Sequence, residues 1–145
     1  MQFGMAILTA ADPWRLVRQA EELGFSHARF FDTQMLRADL FVAMTAAATQ
    51  TWRIKLGTGV LNPSNRIAPV AATAFASVKK LAPGRVVFGV STGFTKRRTM
   101  GLGAVKLADM EEYIRVIEVL WRGGPWRQRL RANAGKSACS TPNTA

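Results

Sequence analysis

Residues 54–90 read IKLGTGVLNPSNRIAPVAATAFASVKKLAPGRVVFGV, and this stretch decides the fold. Residues 54–61 (IKLGTGVL) and 85–90 (RVVFGV) are short apolar runs of strand length. Between them, a helix is predicted from about Pro69 to Leu81, and Ala82-Pro83-Gly84 ends it. Strand, helix, strand in so few residues implies a parallel pair joined by a right-handed crossover.

The same unit recurs upstream. Residues 1–8 are predicted as a buried strand, and residues 27–32 (HARFFD) as a second. Asp12-Pro13 opens the first helix, with the Asp carboxylate expected to accept from a free N–H and Pro placed where no donor is needed. Trp14, Val17, Ala20 and Leu23 carry its stripe, and Gly24 supplies a left-handed stop. Asp39 caps a helix over residues 40–49, and Leu107, Met110, Ile114, Ile117 and Trp121 mark a last one. Four strand–helix units fit either a small open sheet with helices on both faces or half of an eight-unit barrel, which normally takes about 250 residues. Periodicity alone leaves both open.

Composition narrows the function. The 145 residues are 48% apolar and 20% charged, which is a globular composition rather than a disordered one. One Cys excludes a disulfide framework or a Cys-rich zinc module, and one His without a carboxylate cluster speaks against any metal site. No apolar run approaches the roughly 20 residues that span a bilayer. Residues 1–10 lack a basic start and a cleavage pattern, so a cytoplasmic chain is expected, away from membranes.

The net charge of +11 invites a nucleic-acid partner. Its distribution argues otherwise. Arg127, Arg129, Arg131 and Lys136 lie beyond the last acid, Glu118, and without them the balance is +7. Lys96-Arg97-Arg98 falls in an expected loop after the fourth strand. That loop reads as a solvated surface or an attractor of a cofactor phosphate, and third as a nucleic-acid contact; no stacking aromatics are interleaved with it.

Two phosphate-binding patterns fail on inspection. Gly57-Thr58-Gly59-Val60-Leu61-Asn62 has Asn62 where the dinucleotide fingerprint needs its third Gly, and no helix follows directly. Residues 84–90 have Val90 where a P-loop requires Lys. His27 opens a strand and reads as a packing residue. Met35, Met44, Met100 and Met110 read as core filler. Asp32 ends a parallel strand on the side where βα loops build sites, and reads equally as a site acid or a cap. The small residues of Gly57-Thr58-Gly59 and Ser91-Thr92-Gly93 end neighbouring strands, where backbone N–H groups can approach a flat or anionic ligand.

Three segments together resemble the bacterial luciferase-like family of flavin- and deazaflavin-dependent oxidoreductases: AEELGFSHARFFDTQ (20–34), residues 56–94, and EEYIRVIEVLWRG (111–123). Its members similar to methylenetetrahydromethanopterin reductase are the nearest in look. The resemblance implies the N-terminal half of a TIM (β/α)8 barrel over residues 1–123, with FMN or coenzyme F420 at the carboxyl ends of the strands. It implies a non-prolyl cis bond at Gly59-Val60 behind the ring, with Asn62 following. It also implies cofactor contacts from Asp32, Thr58, Gly59, Val60, Asn62, Ser91, Thr92 and Gly93. The implied reaction is hydride transfer to or from a small organic substrate; oxygenation would need a true flavin. The family's sugar-phosphate and alcohol dehydrogenases carry a His after the strand-two acid, where this chain has Thr33 and then Gln34.

Residues 124–145 lack acids and any useful periodicity, so they are expected to be an aberrant, disordered basic tail on a truncated barrel. Open sheet edges on such a half predict self-association and poor solubility as a monomer. The alternative readings are a non-catalytic fragment with impaired cofactor binding and, third, a basic nucleic-acid binder.

Overall fold

The computed structural model describes residues 1–10, 12–33 and 36–122. The expected tail over 124–145 and the boundary at 123 lie outside the described residues, as does Met35. In chain order the elements are β1 (Gly4–Ile7), α1 (Trp14–Glu22), β2 (His27–Phe30), α2 (Leu40–Gln50), β3 (Lys55–Thr58), α3 (Ala68–Leu81), β4 (Val86–Val87), α4 (Phe94–Thr99) and α5 (Leu107–Trp121).

The four strands form one parallel sheet in the order β1-β2-β3-β4. Gly4 pairs with His27, His27 with Lys55, and Leu56 with Val86. This order resolves the choice that periodicity left open. A doubly wound sheet reverses direction at a switch point, whereas sequential right-handed crossovers keep every helix on one face. The packing agrees, since α1 meets α2, α2 meets α3, and α3 meets α5.

The core lies between that helical layer and the sheet. Alternation along β2 sends Ala28 and Phe30 into it. Phe75 is wholly buried and sits amid Phe41 and Phe88, both edge-on at 5.0 and 5.2 Å, with Trp121 tilted at 5.2 Å. Small Ala43, Ala47 and Ala48 on α2 are buried there too, with Met44 as core filler. Met100 and Met110 are only partly buried, so that reading holds for Met44 and not for them.

The termini of α1 divide the expectations. Gly24 has φ +86°, and Phe25 N–H donates to Ala20 O (2.9 Å) while Gly24 N–H donates to Glu21 O (3.1 Å), the double bond of a Schellman stop. Asp12, however, makes no cap: Pro13 occupies the N-cap position and no side-chain hydrogen bond serves it. Asp39 does cap α2, accepting from Phe41 N–H (2.8 Å) and Val42 N–H (3.2 Å).

All four strands are shorter than expected, and β3 and β4 show why. The ladder of β3 stops at Thr58, and that of β4 at Val87, with an isolated bridge Leu61–Val90 beyond. Thr58 is the reason. Its hydroxyl donates to Gly89 O (2.5 Å) and accepts from Gly89 N–H (2.8 Å), replacing ladder bonds with side-chain ones. The Lys96-Arg97-Arg98 segment is not a loop either. It lies within α4, which starts after Gly93 turns the chain at φ +75°.

Candidate active site at the carboxyl ends of the strands

The chain segments leaving β2, β3 and β4 enclose a cleft of about 460 Å³. Asp32, Gly59, Val60, Asn62, Ser91 and Gly93 line it, which brings together six of the eight residues anticipated from sequence. Phe31, Leu36 and Phe94 add apolar wall, and Thr33 a hydroxyl. Thr58 stands behind the cleft, wholly buried in its bonds to Gly89. Thr92 is also outside the lining; its carbonyl accepts from Val105 N–H at 2.9 Å.

The Gly59-Val60 peptide bond is cis, at the position the family resemblance implies. Gly59 N–H still donates to Phe30 O (2.7 Å), so β2 holds the start of this turn. Beyond it, Leu61 N–H donates to Gly89 O (2.8 Å) and Ser91 N–H to Leu61 O (3.1 Å). The loop carrying Asn62 is thereby fastened to the one carrying Ser91 and Gly93.

Asp32 is 4% exposed. A carboxylate so buried needs partners, because desolvation otherwise costs several kcal/mol. Asn65 Nδ2 donates to it at 2.8 Å and Arg66 Nη1 at 3.1 Å. The other arm of the same guanidinium pairs with Asp39, so Arg66 ties the end of β2 to the cap of α2. Asn65 and Arg66 were absent from the sequence reading. A signal existed: Arg66 is the sole basic residue between Lys55 and Lys79, just ahead of a helix. Tyr113 on α5 was also missed. It is 7% exposed, and burial raises its hydroxyl pKa, with the charge of Asp32 adding to the rise and Arg66 opposing it.

Asn62 differs from Asp32. It is equally buried, yet its Oδ1 accepts no hydrogen bond among the described residues. A Cβ on Gly93 would come within 2.6 Å of that oxygen, so glycine is what lets the β4 loop close over the amide. Thr33 Oγ1 is a second buried atom in the cleft wall without a partner among the described residues. Native proteins pair nearly all such atoms. A flat ligand with an N–H edge and carbonyl oxygens has complementary groups for both.

The profile of luciferase-like monooxygenases matches residues 3–144. The chain belongs to the luciferase-like monooxygenase family. The match runs beyond residue 123, where the resemblance read from sequence ends. An F420-dependent glucose-6-phosphate dehydrogenase from Beutenbergia cavernae is 44% identical over 84 residues, covering 54% of this chain and 25% of that protein. A 5,10-methylenetetrahydromethanopterin reductase from Methanolobus tindarius is 36% identical over 74 residues, covering 51% and 22%. Among solved structures, the coenzyme F420 dependent tetrahydromethanopterin reductase from Methanopyrus kandleri superposes with a TM-score of 0.70 at 25% identity, over 81% of this chain and 39% of that one. The oxygenating constituent of 3,6-diketocamphane monooxygenase from Pseudomonas putida, solved with FMN, gives 0.70 at 17% identity, over 87% and 41%. The chain therefore spans about a quarter of the length of the curated relatives it matches. Its four βα units correspond to part of a TIM barrel, as expected from sequence.

His27 lies at the opposite end of the sheet. Its Nδ1 is 2.8 Å from Ser26 Oγ, which itself donates to Phe3 O (2.7 Å), and burial, then the charges of Lys55 and Arg29, lower its pKa. Among the described residues, no helix is long and apolar enough to cross a membrane, and no group of three His, Cys, Asp or Glu could hold a metal.

Proposed function

We propose that this chain carries the N-terminal part of an oxidoreductase that moves a hydride between coenzyme F420, or alternatively FMN, and a small organic substrate. The observation that carries the reading is the buried, unpartnered Asn62 Oδ1 in the cleft at the strand ends. It is an acceptor in want of a donor, and both cofactors offer an imide N–H on the pyrimidine edge of their ring. F420 is preferred because the relatives above 30% identity bear F420-dependent enzyme names or the name of a methanopterin reductase.

When bound, the cofactor supplies the hydride acceptor or donor. The residues of this chain bind and orient it. Asn62 and Thr33 fix the ring edge, Val60 and Gly59 back the ring, and Ser91 and Gly93 close one side. Phe31, Leu36 and Phe94 exclude water, which guards a hydride from loss. Asp32, held by Asn65 and Arg66, keeps its carboxylate fixed at the mouth of β2. Thr33 follows it where the family's alcohol dehydrogenases have a base, so the reaction assigned is hydride transfer without a His-mediated proton abstraction. The reading carries a cytoplasmic location, a small-molecule substrate and no nucleic acid; self-association would run through the strand edges.

Fluorescence titration of the full chain with F420 and with FMN is the test. F420 is expected to bind more tightly than FMN, and Asn62→Leu to weaken binding at least ten-fold without moving the melting temperature. A cooperative melt with neither cofactor bound would instead favour a non-catalytic fragment. Affinity for duplex DNA that persists at 150 mM salt would favour the basic binder.

A further inference from the structure

We propose that Arg97, Arg98 and Lys106 form a cationic rim beside the cleft that holds the anionic tail of F420. The inference rests on the cofactor reading above and gives it a means of preferring F420 to FMN. Beyond its ribityl chain F420 carries a phosphodiester and then glutamyl carboxylates, whereas FMN ends at a single phosphate.

Sequence gathers the charge. Between Asp39 and Asp109 the chain has no acid, and Lys96-Arg97-Arg98 and Lys106 fall late in that stretch. The fold then sets the charge against the cleft. Gly93, Phe94 and Thr99 line the cleft, so α4 begins and ends at its edge. Arg98 lies over the Phe94 ring, with Cζ 5.1 Å from the centroid. An aromatic face steadies a guanidinium without using its N–H groups. Arg98 therefore keeps its donors for an anion at the cleft edge.

Arg97 and Lys106 line a second hollow of about 360 Å³, with Pro63 and Ser64 in its wall. Pro63 follows Asn62 of the cleft, so the segments leaving β3 and β4 wall both spaces. The lining of the hollow comes from the third and fourth units alone. Arg97 Nε–H donates to Gly103 O, which fixes that side chain in place. Asp109 shares the wall, yet none of the three cations forms an ion pair among the described residues. Neighbouring cations repel, and an anion that spans them relieves this. One exposed ion pair raises affinity by at most about five-fold. A single phosphate therefore gains little here, while a chain of anionic groups gains at each cation. That distinction separates the tail of F420 from that of FMN.

Fluorescence titration of the full chain can compare F420, F420 stripped of its glutamates, and the tail-less deazaflavin that ends at its ribityl chain. F420 is expected to bind at least ten-fold tighter than the tail-less compound, with the advantage shrinking as salt rises. The glutamate-free form separates the two anionic groups. Affinity near that of F420 assigns the rim to the phosphodiester, and affinity near that of the tail-less compound assigns it to the carboxylates. The double variant Arg98→Gln, Lys106→Gln is expected to lose at least five-fold for F420 and nothing for the tail-less compound. Both side chains are exposed, so its melting temperature should match wild type. Arg98→Lys should keep most of the affinity, and Lys80→Gln on α3 all of it. Equal binding of F420 and the tail-less compound overturns the proposal and leaves the cofactor reading standing. So does a double variant that binds F420 like wild type, or one that loses both compounds equally. Binding of neither compound by wild type overturns both.

Discussion

The two ends of the sheet treat buried polar groups in opposite ways. At the amino end, Glu21 is 7% exposed and accepts from three successive N–H groups, Trp52 (3.0 Å), Arg53 (2.5 Å) and Ile54 (2.7 Å). Arg85 beside it donates to Thr51 Oγ1, Ala48 O and Ile54 O at 3.0 to 3.3 Å. At the carboxyl end, Thr9 Oγ1, Thr33 Oγ1 and Asn62 Oδ1 follow β1, β2 and β3, and none has a partner among the described residues; neither has the Tyr113 hydroxyl, which feels Asp32 and Arg66. An end whose buried carboxylate and guanidinium are each held by several hydrogen bonds contributes stability. An end that keeps unmade bonds in dry surroundings gives up stability for something that binds there.

The comparison can be broken, and the largest effect should come at the amino end. Glu21→Ala leaves the buried N–H of Ile54 and the partly buried N–H groups of Trp52 and Arg53 without their acceptor; a buried one costs about 1–3 kcal/mol, so a loss of about 3 kcal/mol is expected in denaturant melts. Burial pushes the Glu21 pKa up, but the N–H groups of Ile54, Arg53 and Trp52, with the charge of Arg53, outweigh it and leave the pKa below its ordinary 4.5. Its contribution is therefore complete above about pH 4.5 and is lost as pH falls through the lower, folded-state value. Melting temperature against pH should show this acid limb for wild type and not for Glu21→Gln.

Arg66→Met comes next. It removes the ion pair of Asp32, which keeps its bond from Asn65, and releases Asp39, and about 2 kcal/mol of stability should go. Lys at that position should not restore it, since one ammonium cannot span both carboxylates. Asp39→Ala should cost about 1 kcal/mol through its cap, while Asp12→Ala, with no cap to lose, should leave the melt unchanged. A similarly small change in stability is expected for Asn62→Leu, within about 0.5 kcal/mol of wild type, because no hydrogen bond to Oδ1 among the described residues is lost. A loss above about 2 kcal/mol there would make the carboxyl end a structural network like the other, and the contrast would fail.

Much of this was legible in the residues, for local reasons. The Gly24 stop, the Asp39 cap and the Pro-Gly end of α3 each depend on a few adjacent residues, and each stands where the sequence put it. Asp12 was misjudged because Pro13 itself took the N-cap position. The ends of β3 and β4 were missed because Thr58 bonds across 31 residues to Gly89, which no local pattern records. Lys96-Arg97-Arg98 lacked an apolar period in six residues, too few to reveal α4.

The sequence by itself determined four parallel strand–helix units and, through its likeness to the luciferase-like family, six residues that meet in one cleft; the order of the strands was read only from the structure. Alternating runs and turn residues act over short distances, so they can be read in line. Tertiary structure alone decided which polar atoms have partners. Asp32 found Arg66 and Asn65 from another unit, Glu21 found the turn before β3, and Asn62 Oδ1 was left without a donor. Pairing of that kind is a property of burial, and burial is settled only when distant segments close on one another.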